Sequence, residues 1–374
     1  EVEKHHPSYR EQRFNNFASV EFHGHVFMTP RDFLESITYD NPRYRTGRLK
    51  LNRAGVEKLL KSTPSRRKNS SQMFRNLSEN GLISFTEYLF LLCVLTKPKS
   101  GFKIAFNMFD IDGDEKVDKK EFLVLYNILK KDSLEQQQQQ QHQQQHHHHT
   151  SSSSSSSDVP HDHPSSGRQN IWQLIQNDDK PITETTLTVH FFGPKGKDYM
   201  NYKDFHRFMD NLQTEVLELE FAEFSSGLST ISEIEFAQIL LRYTKLTKEE
   251  HDKYLNRLRN RIEHSQGIKF KDFKEFSQFL NSIDDFSLAM RIFTYADHPI
   301  SEADFARAVK ACTGQTLNSH MIHVVFQLFD VDGDGRLSHK EFISVMKERM
   351  HRGSKHMSVT RWDNFKACVK NDLR

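Results

Sequence analysis

Two twelve-residue segments place acidic side chains at alternate positions and end in a glutamate. Residues 110–121 and 330–341 both begin with Asp-x-Asp-Gly-Asp. Ca²⁺ is a hard cation that takes six to eight oxygen ligands, and an EF-hand loop supplies them from positions 1, 3, 5, 7, 9 and 12. The spacing therefore predicts two Ca²⁺-binding loops. The alternative for each is an Asp-rich turn that holds no ion.

The EF-hand positions assign a ligand set to each loop. In the first loop the predicted ligands are Asp110, Asp112, Asp114, the backbone carbonyl of Lys116, Asp118 and Glu121. In the second they are Asp330, Asp332, Asp334, the backbone carbonyl of Arg336, Ser338 acting through water, and Glu341. We expect each position-12 glutamate to bind with both oxygens, which favours Ca²⁺ over the smaller, octahedral Mg²⁺.

The two loops differ at position 6, where the chain turns sharply. The second loop has Gly335 there, whereas the first has Glu115. A positive φ at a residue with a Cβ costs roughly 1–2 kcal/mol. The first loop also carries one more carboxylate than the second, which offsets some of that strain. We therefore expect unequal affinities and leave open which loop binds more tightly.

Phenylalanines at helical spacing flank both loops. Phe102, Phe106 and Phe109 lead into the first loop, and Phe326 and Phe329 lead into the second. Side chains three and four residues apart lie on one face of a helix. The pattern predicts the helix–loop–helix arrangement of an EF-hand.

A shorter pattern repeats along the chain: an aliphatic residue at loop position 8, an acid at position 12, and then an aromatic residue. Its copies are Ile83/Glu87/Tyr88, Val117/Glu121/Phe122, Met200/Asp204/Phe205, Ile231/Glu235/Phe236, Ile268/Asp272/Phe273, Ile300/Asp304/Phe305 and Leu337/Glu341/Phe342. We expect position-8 residues of paired hands to form short antiparallel bridges. Since only two copies keep the ligands, the others are predicted to be structural partners, with weak binding open for 76–87.

These elements predict an all-α protein. We expect an N-terminal domain at 1–70, a first EF-hand lobe at 71–225, a second at 226–350, and a C-terminal helix at 351–374. The first lobe contains an insert of Gln, His and Ser at 135–168, whose composition cannot build a core and predicts disorder. Its histidines are either transition-metal ligands or a product of repeat expansion.

The formal net charge of +2 gives no reason to expect nucleic-acid binding. Residues 43–75 nevertheless contain eleven Lys or Arg and one acid, Glu57. This basic cluster either meets an acidic protein face or anionic lipid, or is a solvated and partly disordered loop. Because the chain begins at Glu1 rather than Met, we expect a processed or trimmed form.

The sequence shows no sign of an enzyme or of a membrane span. It lacks HExxH, P-loop and nucleophile-elbow motifs. It also lacks an apolar run near the roughly 20 residues that cross a bilayer. We expect no enzymatic activity.

Several segments resemble the mitochondrial calcium uptake proteins, the EF-hand regulators of the mitochondrial calcium uniporter. They are FMTPRDF (27–33), GLISFTEYLFLLCVLTKP (81–98), FNMFDIDGDEKVDKKEFLVL (106–125), RFMDNLQTEVLELEF (207–221), FDVDGDGRLSHKEF (329–342), HRG (351–353) and FKACVKNDLR (365–374). Two ion-binding hands separated by degenerate hands is that family's arrangement. The long insert is a departure from it.

The resemblance implies a place in the mitochondrial intermembrane space, peripheral on the inner membrane. It also implies association with the uniporter pore subunit and its essential small subunit. A further implication is a disulfide-linked heterodimer with calcium uptake protein 1 through Cys368. The residues alone leave Cys368 as either an odd thiol or an unreactive packing residue, and Cys93 and Cys312 are expected to be small buried hydrophobes.

We therefore predict a Ca²⁺-sensing regulatory subunit of the uniporter that controls mitochondrial calcium uptake. The alternative is a soluble EF-hand buffer with no gated target. A buffer binds Ca²⁺ with little opening of its hands, whereas a sensor exposes apolar surface. The sequence leaves open whether the protein restrains or enhances the channel.

Overall fold

The computed structural model describes residues 8–65, 71–124, 184–262, 265–295, 300–337 and 339–350. Its description of 292–295 and 339–341 covers the backbone and not the side chains. The predicted insert at 135–168, the predicted helix at 351–374 with Cys368, and the predicted ligand Ser338 lie outside the described residues. So does the side chain of Glu341.

The described chain is mostly helical, which confirms the all-α prediction. The helices are α1 (Tyr9–Phe17), α2 (Pro30–Thr38), α3 (Arg53–Lys61), α4 (Met73–Leu77), α5 (Phe85–Leu95), α6 (Lys99–Phe109), α7 (Thr186–Phe192), α8 (Tyr202–Ser225), α9 (Glu233–Leu241), α10 (Lys248–Arg261), α11 (Phe270–Leu280), α12 (Ile283–Tyr295), α13 (Glu302–Thr313), α14 (Ser319–Phe329) and α15 (His339–Met350). Residues 119–124 are also helical. Within these ranges, none of the helices combines the length and apolar character needed to cross a bilayer.

The strands are short and join elements distant in sequence. They are β1 (Val20–Phe22), β2 (His25–Phe27), β3 (Leu49–Lys50), β4 (Lys116–Val117), β5 (Met200–Asn201), β6 (Thr230–Ile231) and β7 (Ile268–Lys269). The first three form a small sheet in the order β2-β1-β3, which the sequence analysis did not predict. The others join EF-hand loops.

Position-8 residues pair as the repeat predicted. Val117 pairs with Met200, and Ile231 pairs with Ile268, both antiparallel. Ile300 and Leu337 form an isolated antiparallel bridge. The two loops that carry the predicted ligands, 110–121 and 330–341, are called the working loops. Each is therefore held against a loop that lacks the ligand pattern, as expected for EF-hand pairs.

The structure contains a further EF-hand-like unit that the sequence analysis missed. Met28 and Ile83 form an antiparallel bridge, with N···O distances of 2.9 and 2.8 Å. Asp32 and Phe33 follow Met28 at the spacing of the repeat. The same aliphatic–acid–aromatic signal was present in the sequence, but no acidic loop precedes it. This unit partners the hand at 76–87.

The acid at position 12 has a structural role in hands without the ligand set. In four of these hands the acid is the third residue of a helix. Its carboxylate accepts the backbone N–H of the position-9 residue, and the side chain of the position-9 residue accepts the backbone N–H of the acid. These capping boxes join Thr29 with Asp32, Ser84 with Glu87, Ser232 with Glu235, and Ser301 with Asp304. Helix initiation alone is therefore a reason to keep this acid.

Helix α8 links two hydrophobic cores. One core runs from Phe14 to Val216 and includes helices of the predicted N-terminal domain together with the first hands. The other runs from Leu217 to Met346. Among the buried residues of this 24-residue helix, the change from one core to the other falls between Val216 and Leu217. The exact domain limits given above stay a prediction.

Part of the basic cluster at 43–75 holds the N-terminal helices together. Arg45 Nη2 donates to the carbonyl of Phe17 at 2.6 Å, and Arg48 Nη2 donates to that of Asn15 at 2.8 Å. Cations at a helix C-terminus satisfy its last carbonyls and oppose its dipole. Arg75 forms ion pairs with carboxylates of α8. These side chains are structurally engaged.

Glu87 combines its capping role with complete burial. Burial raises its pKa from 4.5 to about 7, against the opposing effect of hydrogen bonds from Thr185 and Ser84. The folded pKa lies above the unfolded value. The unfolded chain therefore loses this proton at lower pH, and stability falls as pH rises from about 4.5 to 7.

We predict that Glu87→Gln reduces this pH dependence. Without Ca²⁺, the unfolding free energy of the variant relative to wild type should rise by about 2–3 kcal/mol between pH 5 and pH 8. Urea unfolding at both pH values measures the difference. Glu57→Gln, at an exposed carboxylate of α3, is the control and should show no such rise. A pH-independent difference for Glu87→Gln would contradict the prediction.

Candidate metal centre

The first loop brings three predicted ligands together. Asp110, Asp112 and Asp114 each place a carboxylate oxygen within 4.8 Å of the other two. Asp110 Oδ1 is buried and has no hydrogen-bond partner among the described residues. A buried carboxylate oxygen without a donor is costly, and a cation would satisfy it. The donor set consists of hard oxygens and fits Ca²⁺.

The other two side-chain ligands predicted for this loop form a capping box. Glu121 Oε2 accepts the Asp118 N–H at 2.9 Å, and Asp118 Oδ1 accepts the Glu121 N–H at 2.8 Å. Glu121 Oε1 accepts the Ile111 N–H at 2.9 Å, across the loop. The structure therefore does not gather Glu121 with the three aspartates. Burial raises the pKa of Glu121, and its amide hydrogen bonds lower it, with a net increase.

Glu115 has the backbone conformation expected of a glycine. Its φ is +62°, against +74° for Gly335 at the same position of the second loop. The Glu115 N–H donates to Asp110 Oδ2 at 3.0 Å, so the turn also orients the first ligand. The strain predicted from the sequence is therefore located at a residue that supports the site.

The second loop repeats the geometry, and its first aspartate accepts two backbone N–H groups where Asp110 accepts one. Asp330, Asp332 and Asp334 also place oxygens within 4.8 Å of one another. Asp330 accepts the N–H of Gly333 at 2.7 Å and of Gly335 at 2.9 Å. Burial on its own raises the pKa of Asp330, but these bonds and nearby Arg261 hold it below its ordinary value. The carboxylate is thus kept ionised, as cation binding requires.

Aromatic side chains fix the helices on both sides of each loop. Phe109 and Phe122 flank the first loop with ring centroids 5.9 Å apart, and Phe329 and Phe342 flank the second at 5.4 Å. All four are buried. A conformational change in either loop must therefore alter the packing of these aromatic rings in the adjacent core.

The loop paired with the first site is unsuited to cations. Lys195 and Lys197 are exposed at positions 3 and 5 of the hand at 193–204, where carboxylates would be needed. In the degenerate hand at 76–87, the Glu87 carboxylate accepts hydrogen bonds from the Ser84 N–H and the Thr185 hydroxyl. The weak binding left open for 76–87 stays a prediction.

Comparisons with known proteins identify the two hands. Residues 102–126 match the family model described as EF hand, and residues 321–349 match that described as EF hand domain. The matched ranges contain both acidic loops and most of the helix that precedes each loop. Both hands were predicted from the spacing of their carboxylates.

Similarity to whole proteins covers nearly the entire chain. Mitochondrial calcium uptake protein 3 of Mus musculus is 44% identical over 97% of this chain and 73% of its own length. Mitochondrial calcium uptake protein 2 of Homo sapiens is 39% identical over 98% of this chain and 77% of its own length. The similarity therefore includes the N-terminal helices and the degenerate hands.

Solved structures give the same result. The crystal structure of EFHA2 in a Ca-binding state matches with a TM-score of 0.73 at 44% identity, covering 90% of this chain and 97% of that chain. The apo structure of the mitochondrial calcium uniporter protein MICU2 matches at 0.71 and 36% identity, covering 98% and 96%. The arrangement of hands is therefore shared with both.

We predict that Glu115→Gly stabilises the chain relative to Glu115→Ala. Both variants remove the carboxylate, but only glycine relieves the positive φ. In the absence of Ca²⁺, the unfolding free energy of the glycine variant should be about 1 kcal/mol higher. Chemical unfolding in a chelator measures it. Equal stability, or a more stable alanine variant, would show that Glu115 is not strained.

Proposed function

We propose a residue-level mechanism for this chain, which belongs to the family of mitochondrial calcium uptake proteins. It binds Ca²⁺ and regulates mitochondrial calcium uptake. In the proposal, loops 110–121 and 330–341 sense the ion through the ligands predicted above. The observation that carries it is the pair of aspartate triads, each with oxygens within 4.8 Å.

Within each loop, the clustered carboxylates repel one another and bound Ca²⁺ offsets that repulsion. Glu121 then exchanges its hydrogen bond with the Ile111 N–H for a place among the ligands. Because Glu121 lies at the start of helical residues 119–124, this movement turns the helix. Phe109 and Phe122 transmit the turn into the first core. Glu341 is proposed to act in the same way at the start of α15.

The pairing of hands gives this motion a direction. The degenerate loop bridged to each working loop binds no ion, so it keeps its conformation when Ca²⁺ binds to its partner. The helix that follows the ion-binding loop must then move relative to the degenerate hand and to any surface that this helix contacts. A ligand shifts such an equilibrium only through its differential affinity for the two states.

We propose that the chain acts in the intermembrane space, peripheral on the inner membrane, with the uniporter pore subunit and its essential small subunit. Cys368 is proposed to link it to calcium uptake protein 1 as a disulfide heterodimer. Exposed members of the basic cluster are proposed to meet anionic lipid. Family membership supports the partners, and the exposed Arg53 and Lys58 of α3 support a basic surface.

The alternative is a Ca²⁺ buffer without a gated target. The chain belongs to a family of regulatory EF-hand proteins, and the family's role in calcium uptake favours the sensor. A buffer would show the same stoichiometry without a change in uptake. Binding and uptake must therefore be measured on the same variants.

We predict that Glu121→Gln with Glu341→Gln removes two Ca²⁺ sites and the calcium dependence of uptake. Calorimetric titration should give two Ca²⁺ for the native chain and none with comparable affinity for the double variant. Rescue of mitochondria that lack the protein then reports uptake across Ca²⁺ concentrations. Equal rescue by both chains, with equal assembly, would contradict the sensor.

A matched control is available in a degenerate hand. Glu235→Gln makes the same substitution at position 12 of the hand at 224–235, where the acid only caps a helix. It should leave both the stoichiometry and the rescue unchanged. Tight binding that persisted in the double variant would instead show that the ligand assignment is wrong.

We predict that Cys368→Ser abolishes the covalent heterodimer with calcium uptake protein 1. A non-reducing gel of the co-expressed proteins measures this directly. Cys312→Ser is the control, since Cys312 is a partly buried free thiol packed against the second core. A heterodimer band that persists in Cys368→Ser would assign the bridge to another cysteine.

A further inference from the structure

An arginine from a degenerate hand lies against the second calcium loop. Helix α10 packs along α14, the helix that leads into Asp330. Its last residue is Arg261, which occupies position 1 of the hand at 261–272. In a working hand this position supplies the first carboxylate. Here it supplies a permanent cation to a different hand.

The guanidinium is fixed by hydrogen bonds at the start of the loop. Arg261 Nη1 donates to the carbonyl of Asp330 at 2.6 Å and to that of Gln327 at 3.4 Å. One turn earlier, Arg257 Nη1 donates to the carbonyl of Leu328 at 2.9 Å. Both arginines therefore cap the end of α14, but only Arg261 bonds to a residue of the loop.

Close packing brings the same guanidinium to loop position 4. A Cβ placed on Gly333 would lie 3.0 Å from Arg261 Nη2. The backbone of the loop thus approaches the charged group directly. Among the described residues, Arg261 forms no salt bridge with a carboxylate, and its guanidinium is held against backbone carbonyls at the start of the loop.

The first loop has no counterpart of this arginine. Within the described ranges, no Arg or Lys side chain donates a hydrogen bond to the backbone of 110–121. Lys116 and Lys119 do lie near that loop, but they pair with Asp114 and Glu184. The two loops therefore differ in one respect: in the described part of the chain, only the second has a cationic side chain hydrogen-bonded to the backbone of its position-1 residue.

We propose that Arg261 lowers the Ca²⁺ affinity of the second loop and thereby sets its response threshold. The degenerate hand at 261–272 would then adjust the Ca²⁺ affinity of the hand at 330–341, although no backbone bridge joins the two. The proposal rests on the ligand set of the proposed function. It assigns to position 1 of the 261–272 hand a role in affinity beyond packing.

The expected size follows from Coulomb's law. A unit charge several ångströms from a divalent ion, in a water-like dielectric, changes its dissociation constant by about fourfold to tenfold. The hydrogen bonds of Arg261 act separately, because they hold Asp330 in place whether or not an ion is bound. Salt screens the charge term and leaves the hydrogen-bond term.

The test titrates the second site alone, in a Glu121→Gln background. Adding Arg261→Gln, which removes the charge, should tighten Ca²⁺ binding about fourfold to tenfold at low salt. Raising the salt concentration should shrink that difference. Arg261→Lys keeps the charge and should bind like the parent. Arg257→Gln removes a charge that is hydrogen-bonded to α14 and not to the loop, so its effect should be smaller.

Weaker or unchanged binding in Arg261→Gln, at equal stability, would overturn the proposal and leave the arginine as a helix cap. Thermal unfolding in a chelator checks stability without any bound ion. If the glutamine variant does not fold, Arg261→Met keeps the apolar stem and tests the same charge. Failure of the parent to bind one Ca²⁺ would instead contradict the ligand assignment.

Discussion

The backbone bridge at loop position 8 is the interaction on which the rest of the structure depends. It joins Val117 to Met200 and Ile300 to Leu337, and therefore ties each ion-binding loop to one without the ligand pattern. A single loop cannot bury its position-8 side chain or satisfy its backbone groups alone. This constraint explains why loops without ligands keep the aliphatic–acid–aromatic pattern: they are needed as the other half of each pair.

The acid at position 12 has two uses that the structure separates. In degenerate hands it can serve as a helix cap, as Glu235 does with Ser232. In the first working hand Glu121 forms the same capping box and is also the proposed bidentate ligand. The difference between a silent and a working hand therefore lies mainly at positions 1, 3 and 5. Retention of the final acid is not evidence of an ion site.

Features that belong to a repeated motif could be predicted from the sequence, and contacts outside any motif could not. The two loops and the positive φ of Glu115 follow from spacing within a dozen residues, and the pairing of position-8 residues follows from the repeat along the chain. The unit around Met28 was missed because its signal lacks an acidic loop, although its aliphatic–acid–aromatic pattern was present. The contact of Arg261 with Asp330 crosses 69 residues. No periodicity specifies such a contact, because it depends on how α10 and α14 pack.

Helix α8 has a mechanical consequence. Its buried residues up to Val216 belong to one hydrophobic core and those from Leu217 onward belong to the other, and the helix continues without a break between them. A helix of 24 residues is about 36 Å long, so a tilt of about 5° at one end displaces the other by about 3 Å. That is comparable to the separation of hydrogen-bonded atoms. A small rotation of the helix beside one pair of hands can therefore form or break a contact beside the other pair.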